Sequence, residues 1–561
     1  MADESSPLAR LAECERRLAA ATDAPAELKA AVSRAIARYR EPMRVAVVAQ
    51  IKRGKSTLVN ALLREDVAPT AQLEATFTVG EFYHAPTPRV TVYFKDAAEP
   101  LRVSAESFRA YTINDPEQAA LLRRVRRVEY GIPNPLLRRF RLLDTPGLGS
   151  IHHADSANTL TTLGVSDFLD AEEEARLAKV LGQVGRSAAD MHADTLSAID
   201  TTDAVVYLFD RGLNQRDATV VTRFLGPLRP SLNALKVIGV LSRCDQWYWP
   251  ATTGGDPLEH DPLAEGRKIV ERRLAEPEVS RMFFRIHPVA ALASAGARAL
   301  TEDELGWLDE LVKVEPRRLA TALSDANWFA RAETIGGVTL PKEARRALVT
   351  RLGAWGTLKV TLYLRGKTPL DELRQRMDVD SGVADVRRTL LDHFGNRSAV
   401  LKLDQALRDI SGHIDRLRMS AVSVASGRTP LPPVTREVAG IVEKVRLSST
   451  ELPELALLED HYRSRLQLDE SDLAEVLQVT GERGRSVAAR LGLPGGTPLP
   501  ALIARADERA GAWANRAEVL GLDGPAATAA AQIAVSYGLL AARVRQASRL
   551  LDFDDELADG G

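Results

Sequence analysis

The chain has 561 residues, 45% hydrophobic and 27% charged, a composition of soluble globular type and a length that predicts two or more domains. Its 74 basic and 76 acidic residues leave a formal net charge of −2, which argues against bulk nucleic-acid binding as the main activity. Two cysteines far apart, Cys14 and Cys244, argue against a disulfide framework and a CxxC-type zinc site.

The start, MADESSPLARLAECERR, is acidic and polar, so no signal peptide is predicted. No window reaches about 18 uninterrupted apolar residues. The Ala-rich stretch 526–542 comes nearest, and Gln532, Ser536 and Tyr537 interrupt it. A cytoplasmic protein is expected, with peripheral contact at the inner face of the plasma membrane left open.

Residues 6–40 repeat apolar positions at three and four residues, with a break around Asp23-Ala24-Pro25, and predict helix. RVAVVA at 44–49 is a short β-branched run, as expected of a buried parallel strand. Similar runs recur at 90–94, 140–143, 204–209 and 236–241, separated by helix-like stretches. VRRVEY at 125–130 reads as an edge strand with solvated arginines rather than a basic patch.

After about residue 300 the pattern turns helical, for example at 382–391, 397–410 and 473–491. Pro/Gly-rich turns interrupt it at 426–433 and 493–500, and LKVTLYLRG at 358–366 is a strand-like exception. The acidic tail DFDDELADGG is expected to be disordered. The fold class predicted is therefore an α/β P-loop domain, a mostly parallel sheet flanked by helices, plus a long α-helical bundle or stalk. The expected domains are an N-terminal helical segment at 1–42, a nucleotide-binding domain at 43–300 and the helical part at 301–561.

The strand at 45–48 runs into AQIKRGKS and then the helix-like TLVNALL, the strand–loop–helix context that the phosphate-binding motif GxxxxGK[ST] requires. Arg53, Gly54, Lys55, Ser56 and Thr57 would surround the phosphates with backbone N–H groups and a helix N-terminus. Lys55 would reach the β/γ-phosphates, and the Ser56 hydroxyl would coordinate Mg2+. The motif's first glycine is replaced by Ala49, which tolerates the position only with a negative φ.

LDTPG at 143–147 follows the strand FRLL in a DxxG arrangement, placing Asp144 toward Mg2+ and the Gly147 amide toward the γ-phosphate. Ser-Arg-Cys-Asp at 242–245 occupies the place of the [NT]KxD guanine motif. A carboxylate at Asp245 accepts from guanine N1–H and N2–H2, which adenine does not offer. Arg243 replaces the usual lysine and can lie over the purine, while Ser242 can brace the loop as threonine does. IHPVAA at 286–291 fits a further motif in which a backbone amide, that of Ala291, meets guanine O6. Bound GTP or GDP with Mg2+ is the expectation.

AQIKRGKSTLVNALLREDVAPTAQLEATFTV, LLDTPGLGS and DAVVYLFDRGLNQRDATVVTRFL resemble bacterial dynamin-like GTPases over roughly residues 40–300. DSGVADVRRTLLDHFGNRSAVLKLDQAL at 380–407 resembles a helical segment of actinobacterial members, including the isoniazid-inducible group. The resemblance implies that Thr76 is the switch threonine completing the Mg2+ shell, with Thr78 competing for that register. It implies that Lys52 is a catalytic cation of the loop. Leu148 stands where Ras-like enzymes carry a water-orienting glutamine, so intrinsic hydrolysis is expected to be slow and stimulated by self-association.

The implied partners are GTP, a second copy or a paralogous dynamin-like protein, and a membrane surface, with no nucleic acid. The candidate membrane tips are 490–506 and 426–434. The rival expectation is a GTP-dependent scaffold that recruits division or envelope proteins without remodelling membrane. A ribosome-assembly GTPase is disfavoured by the net charge and by the lack of an RNA-binding module. QWYWP at 246–250 could cap the base or simply pack as a loop, and His152 and His153 read as switch-region residues without a metal role.

Overall fold

The computed structural model describes residues 6–49, 53–68, 78–96, 99–111, 121, 124–145, 202–210, 234–249, 256–280, 282–423, 431–449, 451–462, 466, 468–484, 486–520 and 524–559. Two compact units divide the chain: one of residues 1–42, 229–235 and 396–561, the other of residues 43–228 and 236–395.

The first unit begins with helices α1 (Pro7–Ala20) and α2 (Ala26–Arg40). Ser6 caps α1 by accepting from the Ala9 amide at 3.2 Å, and Pro7 fills the first helical position, whose N–H needs no partner.

The second unit is built on one nine-stranded sheet of order β4-β3-β5-β2-β6-β1-β7-β8-β9. Its strands are β1 (Met43–Ala49), β2 (Val79–His84), β3 (Arg89–Phe94), β4 (Leu101–Val103), β5 (Val125–Ile132), β6 (Phe140–Asp144), β7 (Ala204–Phe209), β8 (Val237–Leu241) and β9 (Arg285–Pro288). β6, β1, β7, β8 and β9 run parallel, and the antiparallel pairs lie on the β2–β4 side.

β7 and β8 are buried at every position, because both faces of a parallel sheet are covered. The sequence VRRVEY is a strand, but an interior one between β3 and β2. Arg127 is accommodated by pairing with Glu129 at 2.8 Å and by lying over the Tyr93 ring, while Arg126 is exposed as expected. Just before the strand, Arg124 bonds Asp96 at 2.6 Å. β2, β4 and β9 carry too weak a pattern to be predicted as strands.

Helices of this unit include α3 (Lys55–Leu63), α4 (Cys244–Trp247), α5 (Ala291–Arg298) and α6 (Lys342–Arg365). α6 takes up the strand-like LKVTLYLRG as helix through Arg365, with Gly366 as its C-cap. Trp355, Leu358 and Val360 are buried in α6, and the Thr357 and Thr361 hydroxyls bond back to the carbonyls of Gly353 and Thr357 at 2.7 and 2.8 Å. Packing on several sides and internal satisfaction of the threonines override β-branched propensity.

The first unit resumes with α7 (Asn396–Ser423) and α8 (Pro433–Ser448), which close a four-helix core with α1 and α2. Leu11, Leu18, Val32, Ile36, Leu407, Ile410, Val438 and Val442 fill it. Lys402 on α7 donates to the carbonyl of Tyr39 at 3.0 Å, so the C-terminal end of α2 receives a cation.

A second core of this unit is organised by α9 (Leu499–Leu520) and α10 (Pro525–Asp559) around Trp513, Ile533, Tyr537 and Val544. The expected helix at 473–491 is interrupted: Glu470–Val479 stops at a turn in which Gly481 has φ +80° and Gly484 φ +145°. The acidic tail expected to be disordered continues α10 through Asp559.

The segment Pro525–Arg549 of α10 is long and apolar enough to cross a membrane, with mean hydropathy 1.2, which the residue pattern had not suggested. Its residues Ala529, Ala530, Ile533, Tyr537, Leu540, Ala541 and Val544 nevertheless recur at helical spacing and face the second core. Apolar residues of the candidate tip at 490–506 turn inward too, since Leu491 and Leu502 are buried and Leu493, Leu499 and Ile503 pack on the same core.

Candidate functional site

Five parallel strands end at one edge of the sheet, and each delivers one element of the site. β1 runs into the phosphate loop, β6 ends on Asp144, β7 leads to Asp210, β8 leads to Ser242–Asp245, and β9 leads through Val289 and Ala290 to α5.

Gly54 occupies the N-cap of α3 with φ +86°, a conformation that a side chain would strain. Ala49, by contrast, is the last residue of β1 and has no positive φ, so the missing glycine of the motif is tolerated. Lys55 is buried and forms an ion pair with Asp144, while the Ser56 hydroxyl donates to the other carboxylate oxygen of Asp144 at 3.1 Å. Thr145 donates to the Val47 carbonyl at 2.8 Å and so ties the start of the DxxG loop to β1. Arg53 pairs with Asp210, a buried residue just beyond β7. Thr57 follows in the first turn of α3.

Asp144, Lys55 and Ser56 therefore converge. A buried carboxylate beside a hydroxyl is an oxygen donor set that suits a hard divalent cation, so Mg2+ fits the residues present. Lys52, Thr76, Gly147 and Leu148 lie outside the described residues, as do His152 and His153. Thr78 is described: it is buried, its hydroxyl has no hydrogen-bond partner, and it stands two positions before Gly80, which pairs with Asp144 across β2 and β6.

At the β8 end, Ser242 donates through both its amide and its hydroxyl to the Phe209 carbonyl, at 2.8 and 3.1 Å, bracing the loop against β7. Arg243 turns the chain with φ +58°, and burial lowers its pKa. Cys244 is buried, and its amide donates to the Val289 carbonyl at 3.2 Å, joining the β8 and β9 loops. Asp245, in the first turn of α4, is 5% exposed; neither carboxylate oxygen has a hydrogen-bond partner, and burial pushes its pKa up to about 6. Ala291 is the first residue of α5, a position whose N–H an α-helix leaves without an internal acceptor.

The aromatic run beyond Asp245 packs locally. Trp249 is buried and donates to the Pro257 carbonyl at 2.9 Å, and the His260 ring meets the Tyr248 carbonyl at 2.6 Å.

Residues 45–210, which contain most of β1, the phosphate loop and Asp144, match the model of the dynamin family. These residues form a dynamin-family GTPase domain.

Among its relatives, the isoniazid-induced protein IniC of Mycobacterium tuberculosis (strain H37Rv) is 29% identical over 464 residues, 82% of this chain and 81% of the relative. The bacterial dynamin-like protein of Nostoc punctiforme is 32% identical over 115 residues, covering 19% of this chain and 16% of that one. A solved structure of an oligomerised bacterial dynamin pair is 14% identical with a TM-score of 0.28, covering 84% of this chain and 77% of that one.

The motifs single out Lys55, Ser56 and Asp144, which the structure brings together, and Asp245, which stands apart at the β8 end. They miss Thr145 and Asp210, whose roles arise from strand adjacency, and they miss the approach of α6 to Asp245. Gly353, in a helical stretch between Leu352 and Ala354, is the one local signal that could have marked that approach.

Proposed function

We propose that this dynamin-like GTPase binds GTP with Mg2+ at the C-terminal edge of its parallel sheet and turns it over slowly until self-association completes the site. The observation that carries the proposal is the convergence of Lys55, Ser56 and Asp144 from two adjacent strands. Ser56 and Asp144 would hold Mg2+, with Thr76 or Thr78 from the segment before β2, and the ion would supply charge neutralisation for the phosphate oxygens. The N–H groups of Gly54, Lys55, Ser56 and Thr57 receive phosphate oxygens, and Arg53 keeps the loop against β7 through Asp210. Lys52 offsets charge on the leaving oxygen, and the Gly147 amide marks the γ-phosphate.

Asp245 accepts from guanine N1–H and N2–H2. Arg243 covers the ring, Ser242 braces the loop, and the Ala291 amide meets O6. Leu148 cannot orient water, so a second copy or a paralogous dynamin-like chain supplies the missing order to the switch regions. The dynamin-family match over residues 45–210 extends the proposal to peripheral work on the inner face of a bacterial membrane, tethering or remodelling it.

The test is GTP turnover per molecule against protein concentration, with and without anionic liposomes. Specific activity should rise with concentration and rise again on liposomes. A flat profile in both series would remove self-association from the mechanism, and failure to sediment with liposomes would remove the membrane.

A further inference from the structure

Both carboxylate oxygens of Asp245 are shielded from solvent and lack hydrogen-bond partners. Among the described residues, the backbone of α6 comes close to them. At Gly353 the 24-residue helix breaks, with φ +73° and ψ 169°, and a β-carbon built there would stand 3.0 Å from Asp245 Oδ2 and 3.8 Å from Leu292 Cδ2. A purine cannot reach the carboxylate while the kink holds this position. Leaving a carboxylate buried and unpaired is unfavourable, so the covered arrangement yields to a ligand that brings donors.

We propose that the Gly353 kink is a lid over the base-reading carboxylate, displaced when guanine binds, so that base occupancy is passed into α6. The inference rests on Asp245 as the base contact. It is guanine, with N1–H and N2–H2, that satisfies both oxygens; adenine has no reason to open the lid.

The kink is built to move as a hinge. Helical segments flank it, and the Thr357 hydroxyl closes it by donating to the Gly353 carbonyl. Beyond it, Lys359 pairs with Asp380 at 2.7 Å and Arg365 donates to the carbonyl of Val312. A shift of α6 therefore reaches the helices Glu302–Val312 and Leu370–Asp380. By reciprocity, whatever loosens the kink tightens guanine binding by the same factor.

The experiment uses the full chain and two readouts. Gly353→Ala places a β-carbon against Oδ2 and disfavours the covered arrangement. It should raise the affinity for fluorescent GDP by about 5-fold or more, mostly through faster association, with ADP unaffected. Unchanged or weaker GDP binding by the folded variant would overturn the lid. Hydrogen exchange of the wild-type chain tests it without substitution: peptides across 346–361 should exchange faster with GDP than with ADP or no nucleotide. Equal exchange in all three overturns the proposal even if Gly353→Ala does not fold. Asp245→Asn separates the two readings. If it loses GDP preference while the first two results fail, only the lid falls; if it binds GDP as the wild type does, the base contact falls and the lid with it.

Discussion

Ser56 and Lys55 hold opposite oxygens of one carboxylate: the Ser56 hydroxyl donates to Asp144 Oδ2 at 3.1 Å, and the Lys55 ammonium pairs with Oδ1. The first turn of α3 and the end of β6 are thereby joined at the place where phosphates and a divalent cation are expected. Asp144 is almost fully buried, so its two partners are not equivalent for stability.

Lys55→Ala should lower GTP turnover by about 100-fold or more, since it removes a fixed cation from the reacting phosphates. It should also destabilise the chain by about 3 kcal/mol, because a buried carboxylate loses its counter-charge. Ser56→Ala should lower turnover comparably and cost less than about 1 kcal/mol, because the ion pair survives. Turnover assays and urea midpoints on both variants check the contrast. Equal stability losses would show that the ion pair does not govern the fold there.

Asp245→Asn should shift preference from GTP toward XTP and at the same time stabilise the free protein. The folded pKa of Asp245 lies above its ordinary value, at about 6, because burial disfavours the charge. The folded state therefore holds a proton more tightly than the unfolded chain between about pH 4 and 6, and stability falls as pH rises through that window. Above pH 6 the charged, buried form carries the whole penalty, roughly 2–3 kcal/mol, much of which an amide avoids. The variant should melt a few degrees higher at pH 7.5, with the gain shrinking as pH drops toward 4. A gain independent of pH would contradict this origin.

Gly296→Ala should destabilise by about 3 kcal/mol or more. A β-carbon there would lie 2.1 Å from the backbone oxygen of Arg351, where α5 crosses α6 too closely for any side chain. Gly306→Ala is the control: its β-carbon meets nothing within 4 Å, in a helix interior, and should stabilise by about 0.5–1 kcal/mol. Denaturant midpoints of opposite sign are the expected outcome.

Arg53→Ala should lower stability by about 1–3 kcal/mol and weaken nucleotide binding together, since it leaves Asp210 buried beside the phosphate loop. Asp210→Asn should weaken binding less and cost less stability. Melting curves with and without GDP distinguish loop support from direct phosphate contact: if Arg53 acts only on the nucleotide, the melting point without GDP will not move.

By itself the sequence determined the motif residues and the strands that carry them. Lys55, Ser56, Asp144 and Asp245 stand out because the roles proposed for them, with phosphate, cation and base, each demand particular side chains at particular offsets from a buried strand, and such strands leave continuous apolar runs. It also determined α1 and α2 and their break, through helical periodicity and Pro25.

Only the tertiary structure decided the rest. LKVTLYLRG became helix because neighbours bury it on several sides and its threonines satisfy themselves internally. VRRVEY became an interior strand because Glu129 and the Tyr93 ring lie where Arg127 can pair and Arg126 still reaches solvent. Asp210 met Arg53 because β7 lies beside β1, and Gly353 met Asp245 although they are distant in sequence. Local pattern encodes preference and chemistry, whereas burial by distant residues sets which preference wins and which groups meet.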